Sequence, residues 1–191
     1  AAAVKTRRAS VLGSGPGIAR QVSRRPRAFS ELSGEMRELD NLRVRTIRPL
    51  ISPACVIEEL PTEPPIEQLV LTTRCEISAM LQDRGADRLL VVVGPSTIHD
   101  ACAAMEYAAR LHALAATLSE DLLVVMRVNF EDDGAEGWKG LINDPDLDGS
   151  YQINKGLRQA RKLLIDINRL GLPAATDYLD TISPQFVADL V

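Results

Sequence analysis

The chain reads as an α/β protein with parallel strands, on three observations. Short segments of strand length, residues 89–93, 122–128 and 174–179, recur along its second half, the first two built almost wholly from Leu and Val. Between them apolar residues return at helical spacing, and Gly, Asp or Pro breaks separate the two kinds of segment. A strand, helix, strand, helix, strand, helix order of this kind predicts parallel pairing through helical crossovers.

Taken in order, residues 30–42 offer Leu32, Met36 and Leu39 at helical spacing, with Asp40-Asn41 as a stop. Residues 42–60 alternate loosely and contain Pro49 and Pro53, so they read as extended strand and connection. Pro64 opens a helix whose Ile66, Val70, Ile77 and Leu81 share one face. Gly85-Ala86-Asp87 then breaks the chain into the strand 89–93, which reads as buried because all five residues are apolar. Thr97-Ile98-His99-Asp100 can cap a helix striped by Tyr107, Leu111, Leu114 and Leu118. The strand 122–128 leads into a polar, glycine-rich passage, residues 129–150. Ile153, Leu157, Ala160, Leu164 and Ile167 mark a further amphipathic helix, and Gly171-Leu172-Pro173 turns the chain into a strand over 174–179. Ser183-Pro184 opens the last helix.

With 191 residues, 46% hydrophobic and 25% charged, the chain is long enough to bury a core as one globular domain. Its longest apolar run is far too short to span a bilayer. Cys55, Cys75 and Cys102 are odd in number and scattered, which predicts reduced thiols and no disulfide framework or zinc site. The net charge of −4 conceals an asymmetry: residues 1–30 hold Lys5, Arg7, Arg8, Arg20, Arg24, Arg25 and Arg27 with no acid, which leaves −11 on residues 31–191. That first segment, rich in Ala, Ser and Gly, resembles an organellar transit peptide or the part left after cleavage. A solvated basic tail and a basic arm lying along an acidic partner remain open as alternatives. The Gly-Ser-Gly-Pro-Gly run at residues 13–17 has no strand before it and no Lys-Ser/Thr after it, so it reads as linker rather than phosphate loop.

Several blocks, in order and at matching separations, carry a family resemblance. They are Asp87-Arg88-Leu89-Leu90-Val91-Val92-Val93-Gly94-Pro95, Met126-Arg127-Val128, and Gly137-Trp138-Lys139-Gly140-Leu141-Ile142-Asn143-Asp144-Pro145. Ile153-Asn154-Lys155-Gly156-Leu157-Arg158 and Leu179-Asp180-Thr181-Ile182-Ser183-Pro184-Gln185 complete the set. From about residue 42 onward the chain resembles the type I 3-deoxy-D-arabino-heptulosonate 7-phosphate (DAHP) synthases. The resemblance implies an α/β fold made of an N-terminal extension and the first three β/α units of a (β/α)8 (TIM) barrel, an incomplete barrel over residues 31–191. Three strands of such a barrel leave open edges and an uncovered apolar face, so a protein partner is expected to cover them.

The family condenses phosphoenolpyruvate with erythrose 4-phosphate at a divalent metal, Mn, Fe, Co or Zn. By resemblance Arg127, Lys139 and Asp177 occupy substrate-binding places, Asp177 standing where the family has a glutamate. Departures from the pattern are concentrated at the same site. Ser96 replaces the family's cysteine metal ligand, and a neutral hydroxyl binds transition metals far more weakly than a thiolate. Where the family carries Glu-Lys-Pro-Arg-Thr, this chain has Glu131-Asp132-Asp133-Gly134-Ala135-Glu136, acids in place of two cations. Such a loop is expected to repel phosphate groups. The family's later His, Glu and Asp ligands have no counterpart here, and His99 and His112 read as a helix-start residue and a boundary residue rather than substitute ligands.

These departures predict no catalytic residue, no metal and no cofactor, in a catalytically inactive accessory subunit of a larger, organellar assembly. A plastid fits better than a mitochondrion, with the cytoplasm as alternative. The competing expectation is an enzyme: the N-terminal portion of a divergent 3-deoxy-7-phosphoheptulonate synthase in aromatic amino acid biosynthesis. Pairing with a full-length synthase is a third possibility, and no nucleic-acid partner or transmembrane segment is expected.

Overall fold

The computed structural model describes residues 43, 46–82, 87–132 and 137–191. The basic arm 1–30, the helix expected over 30–42, the Gly85-Ala86 break and the loop residues 133–136 lie outside the described residues. Residues 48–191 form one compact unit.

That unit runs α1 (Pro53–Glu59), α2 (Pro64–Leu81), β1 (Leu89–Val93), α3 (Ala101–Thr117), β2 (Leu122–Arg127), α4 (Ile153–Arg169), β3 (Ala174–Ala175) and α5 (Pro184–Val187), closed by a 3-10 turn at Ala188–Leu190. The three strands make one sheet in the order β1-β2-β3. Both pairings are parallel, with Leu89 opposite Leu122, Val93 opposite Met126 and Arg127 opposite Ala175. The predicted α/β class with parallel strands is what the chain adopts.

Five expectations need correction. Residues 42–60 are not extended throughout, because Pro53 occupies the first helical turn, where its missing N–H costs nothing, and α1 buries Val56 completely. The strand β1 is not buried: it stands at a sheet edge, and Leu89 and Val92 are half or more exposed. On α3 the buried residues are Ala104 and Ala108, while Tyr107 and Leu114 face outward, so the helix packs through its small side chains. The third strand is shorter than expected, since only Ala174 and Ala175 pair with β2 before the chain turns away at Thr176. On α2, Ile66 and Val70 are buried as expected, but Leu81 is exposed at the helix end.

The helix α4 is the centre of the core. Leu157, Ala160, Leu163, Leu164 and Ile167 are all buried, and they pack with Met126 and Val128 beside the sheet and with Leu172, Phe186 and Leu190 beyond it. Its polar face ties down the segments preceding the sheet. Arg158 holds Glu59 at the end of α1, Arg169 holds Glu63 before α2, and the Asn154 amide donates to Pro49 O while accepting from Ile51 N. At its other end α2 is linked to β1 by an ion pair of 2.8 Å between Arg88 and Glu76. Cys55, Cys75 and Cys102 are free and exposed. Among the described residues no helix is long and apolar enough to cross a membrane.

Candidate functional site

A polar cleft of about 300 Å³ opens where β1, β2 and β3 all end, lined by Ser96, Thr97, Arg127, Asn129, Glu131, Asp132, Asp177 and Leu179. Parallel strands make this convergence automatic. Each strand exposes its last residues and its following loop at the same end of the sheet, which is where ligands of such sheets bind.

Backbone contacts set the floor of the cleft. Ile98 N donates to Asn129 O at 2.8 Å, and Val128 N donates to Ala175 O at 2.8 Å, so the loops after β1 and β3 are both stitched to the end of β2. Gly94 allows the first of these approaches: a Cβ there would lie 2.3 Å from Arg127 O, so only glycine brings Pro95-Ser96 alongside β2.

Arg127 is the last residue of β2, and its guanidinium meets the Asp177 carboxylate at 3.2 Å. Their side chains are 41% and 62% exposed, so the pair is solvated and contributes little to stability. Glu131 sits beyond, half-buried, and accepts from Leu179 N at 3.3 Å. Burial pushes its carboxyl above the ordinary glutamate value, reinforced by the nearby Asp180 and partly offset by the Leu179 N–H. Glu131, on the loop after β2, therefore keeps its proton to a higher pH than an ordinary glutamate does.

This shift has a sign that can be tested. A carboxyl whose folded pKa is raised binds its proton more tightly in the folded state, so its contribution to stability is present below its unfolded value and lost as pH rises through the folded one. Wild-type stability should decline over that window, and Glu131→Gln should remove the decline. Thermal melts of both proteins across the acid range check it; a variant that tracks wild type at every pH shows that Glu131 is not the group responsible.

The structure gathers three of the four residues singled out from sequence. Ser96, Arg127 and Asp177 share the cleft. Lys139 is not among the lining residues: it is half-buried on the adjoining loop, where its carbonyl accepts from Asn143 Nδ2 at 2.9 Å. Asp132 lines the cleft, whereas Asp133 and Glu136 lie outside the described residues. His99 precedes α3 and stands edge-on to Trp138, ring centroids 6.4 Å apart, while Asp100 caps the helix by accepting from Cys102 N and Ala103 N. Sequence reasoning passed over Asn129, a buried amide in the cleft wall. An uncharged residue directly after a strand carries no charge or spacing signal, and only its burial sets it apart.

Among the described residues no group of three His, Cys, Asp or Glu side chains is gathered as metal ligands. Ser96 offers a neutral oxygen in the same cleft as a guanidinium, a poor donor set for a divalent transition metal. The described residues thus do not by themselves fit the metal that the resemblance implies, and Arg127 is the group among the cleft's lining residues suited to recognising an anion.

Comparison with known proteins agrees with this geometry. The family model described as the DAHP synthetase I family matches residues 76–191. The chain is 53% identical over 154 residues to a phospho-2-dehydro-3-deoxyheptonate aldolase of Amycolatopsis methanolica, covering 80% of this chain and 75% of that relative. It is 51% identical to the Phe-sensitive phospho-2-dehydro-3-deoxyheptonate aldolase of Escherichia coli (strain K12), covering 80% of this chain and 43% of that one. Among solved structures, the phospho-2-dehydro-3-deoxyheptonate aldolase of Francisella tularensis SCHU S4 superimposes with a TM-score of 0.75 at 45% identity, over 78% of this chain and 43% of its own. The chain thus spans less than half the length of the Escherichia coli and Francisella relatives. A parallel sheet whose strand ends converge on Arg127, in a chain half identical to these aldolases over four-fifths of its length, belongs to the DAHP synthetase I family.

Proposed function

We propose that the chain is the N-terminal portion of a 3-deoxy-7-phosphoheptulonate synthase, and that its cleft holds the phosphoenolpyruvate side of the condensation with erythrose 4-phosphate. The observation that carries this is Arg127 at the mouth of β2, among the described residues the one arginine lining a polar cleft at the shared end of three parallel strands. Half identity to proteins named as aldolases favours the synthase over an accessory subunit of an organellar assembly, a role for which neither fold nor relatives speak.

In this reading the three-stranded sheet is the first three β/α units of a (β/α)8 barrel. The edge of β3 is where the next strand of the barrel would pair, and the edge of β1 is where its last strand would close. Arg127 binds a phosphate or carboxylate oxygen of the substrate through N–H groups that its contact with Asp177 leaves over. Asp177 then lies beside the bound anion and orients the guanidinium.

Calorimetric titration of phosphoenolpyruvate into the chain tests the proposal. Wild type is expected to bind, and Arg127→Ala to weaken binding at least tenfold, about 1.4 kcal/mol, as for loss of a charge-assisted hydrogen bond. Equal affinity in the two proteins would sink the assignment of Arg127.

A further inference from the structure

We infer that Asn129 is a positioning residue, whose side-chain amide clamps Asp177 and through it aims the Arg127 guanidinium into the cleft. The functional half of this inference rests on the proposed phosphoenolpyruvate site.

Asn129 is 5% exposed although it lines a polar cleft, and both ends of its amide are engaged by one residue. Its Oδ1 accepts from Asp177 N at 3.1 Å, and its Nδ2 donates to Asp177 Oδ2 at 2.5 Å. The orientation of the amide follows from chemistry. A backbone N–H can only donate and an ionised carboxylate can only accept, so oxygen must face the first and NH2 the second. The backbone of Asn129 is equally fixed, because its carbonyl receives Ile98 N and its predecessor Val128 donates to Ala175 O.

The consequence reaches Arg127. Asp177 has a 62% exposed side chain on a loop after β3, and without a clamp it would sample several rotamers. Arg127 Nη2 donates to the same Oδ2 that Asn129 holds. That shared oxygen therefore sits at a defined place, and the guanidinium is turned toward the lumen of the cleft with its remaining N–H groups available to an anion. A carboxylate in place of the Asn129 amide would match its shape but could not donate, and it would set one negative charge against another.

The test uses the whole chain with phosphoenolpyruvate as probe, in wild type, Asn129→Asp, Asn129→Ala and Arg127→Ala. Asn129→Asp is expected to bind about tenfold more weakly at neutral pH, the cost of one lost charge-assisted hydrogen bond. The ratio of its affinity to that of wild type should move back toward one as pH falls through the carboxylate range near about 4, where the introduced carboxyl becomes protonated and regains an O–H donor. A merely structural role would give a ratio independent of pH. An independent reading comes from the Arg127 Nε–Hε NMR signal, which should be well ordered in wild type and averaged in Asn129→Ala and Asp177→Asn alike. Unchanged order in both variants overturns the clamp whether or not the ligand binds. If Arg127→Ala loses affinity while both Asn129 variants keep it, the site stands and the inference about Asn129 fails. If wild type itself binds no phosphoenolpyruvate, the functional half is overturned, and the clamp stands or falls on the Arg127 signal.

Discussion

Replacement of Arg161 by methionine is expected to destabilise the chain by about 3 kcal/mol, the low end of what breaking a buried, hydrogen-bonded ion pair costs. Arg161 lies in α4 and is completely buried. All five of its N–H groups are satisfied. Nε donates to Leu60 O at 2.8 Å, Nη1 to Phe186 O at 2.8 Å and to Asp189 Oδ1 at 2.7 Å, and Nη2 to Thr62 Oγ1 at 3.2 Å and to Asp189 Oδ2 at 2.8 Å. One side chain thus joins the turn between α1 and α2, α5, and the terminal 3-10 turn. Methionine fills similar volume but strands the Leu60 and Phe186 carbonyls. The figure stays at the low end because Asp189 is 41% exposed and can turn to water once released.

For a chain of this size a loss of about 3 kcal/mol corresponds to a fall in Tm of roughly 6–12 °C. Lysine should rescue little, having three donors and no planar fork. Acid titration supplies a second readout. Burial pushes the Asp189 carboxyl up, but the Arg161 and Thr62 hydrogen bonds outweigh it and hold it below the ordinary aspartate value. A depressed carboxylate contributes stability that is present above its unfolded pKa and lost as pH falls through the folded one. That acid loss should shrink in Arg161→Met, which leaves only the Thr62 hydrogen bond on Asp189. A melting temperature within about 2 °C of wild type would mean that the buried network is replaceable by packing alone, as happens in some proteins.

Arg161 was legible in the sequence in a way that went unused. Leu157, Arg161, Leu164 and Asn168 fall four, three and four residues apart, so the arginine and the asparagine stand on the apolar stripe of α4. A charge in that position predicts a buried partner, and Asn168 likewise donates inward, to Leu164 O and Leu190 O. The helices α2 and α4 follow from periodicity because one face of each is decided by burial, and the strands follow from their short apolar runs. The packing of α3 does not, since its partners accept Ala104 and Ala108, and small residues give no hydrophobic contrast to read. Burial of β1 was misjudged for a related reason: five apolar residues in a row suit a strand covered on both faces, but coverage depends on neighbours that a local pattern does not encode. At the site, Arg127 was identifiable from a motif block and Asp177 from the place of a family glutamate, and their 3.2 Å meeting follows the pairing of β2 with β3, whereas the Asn129 clamp depends on a register and a loop turn jointly.

Gly156→Ala should damage the protein through backbone overpacking alone, against what helix propensity predicts. Gly156 lies in the first turn of α4, where alanine would ordinarily gain about 1 kcal/mol. A glycine inside an otherwise helical pattern calls for a packing reason, and here the reason is backbone on backbone. A Cβ at this position would lie 2.2 Å from Ile142 O, 2.6 Å from Leu141 O and 2.7 Å from Ile142 C. None of these atoms belongs to a flexible side chain, so helix and loop must part. Overpacking of this kind costs about 1–3 kcal/mol even where side chains can adjust, and a net loss near about 2 kcal/mol is expected after the propensity gain. The damage should not stay local. Ile142 N donates to Phe130 O, and Asp132 N donates to Lys139 O, so the loop that Gly156 holds is also the brace behind Glu131 and Asp132 in the cleft wall. Loss of stability should therefore come with weakened phosphoenolpyruvate binding, a coupling that calorimetry and thermal melts on the same sample can separate. Gly149 gives the contrast: nothing lies within 4 Å of a Cβ there, and only its positive φ of 71° resists substitution. Gly149→Ala should lose about 1–2 kcal/mol through backbone strain alone and leave binding untouched. If the two substitutions behave alike, close backbone approach is not what fixes glycine at position 156.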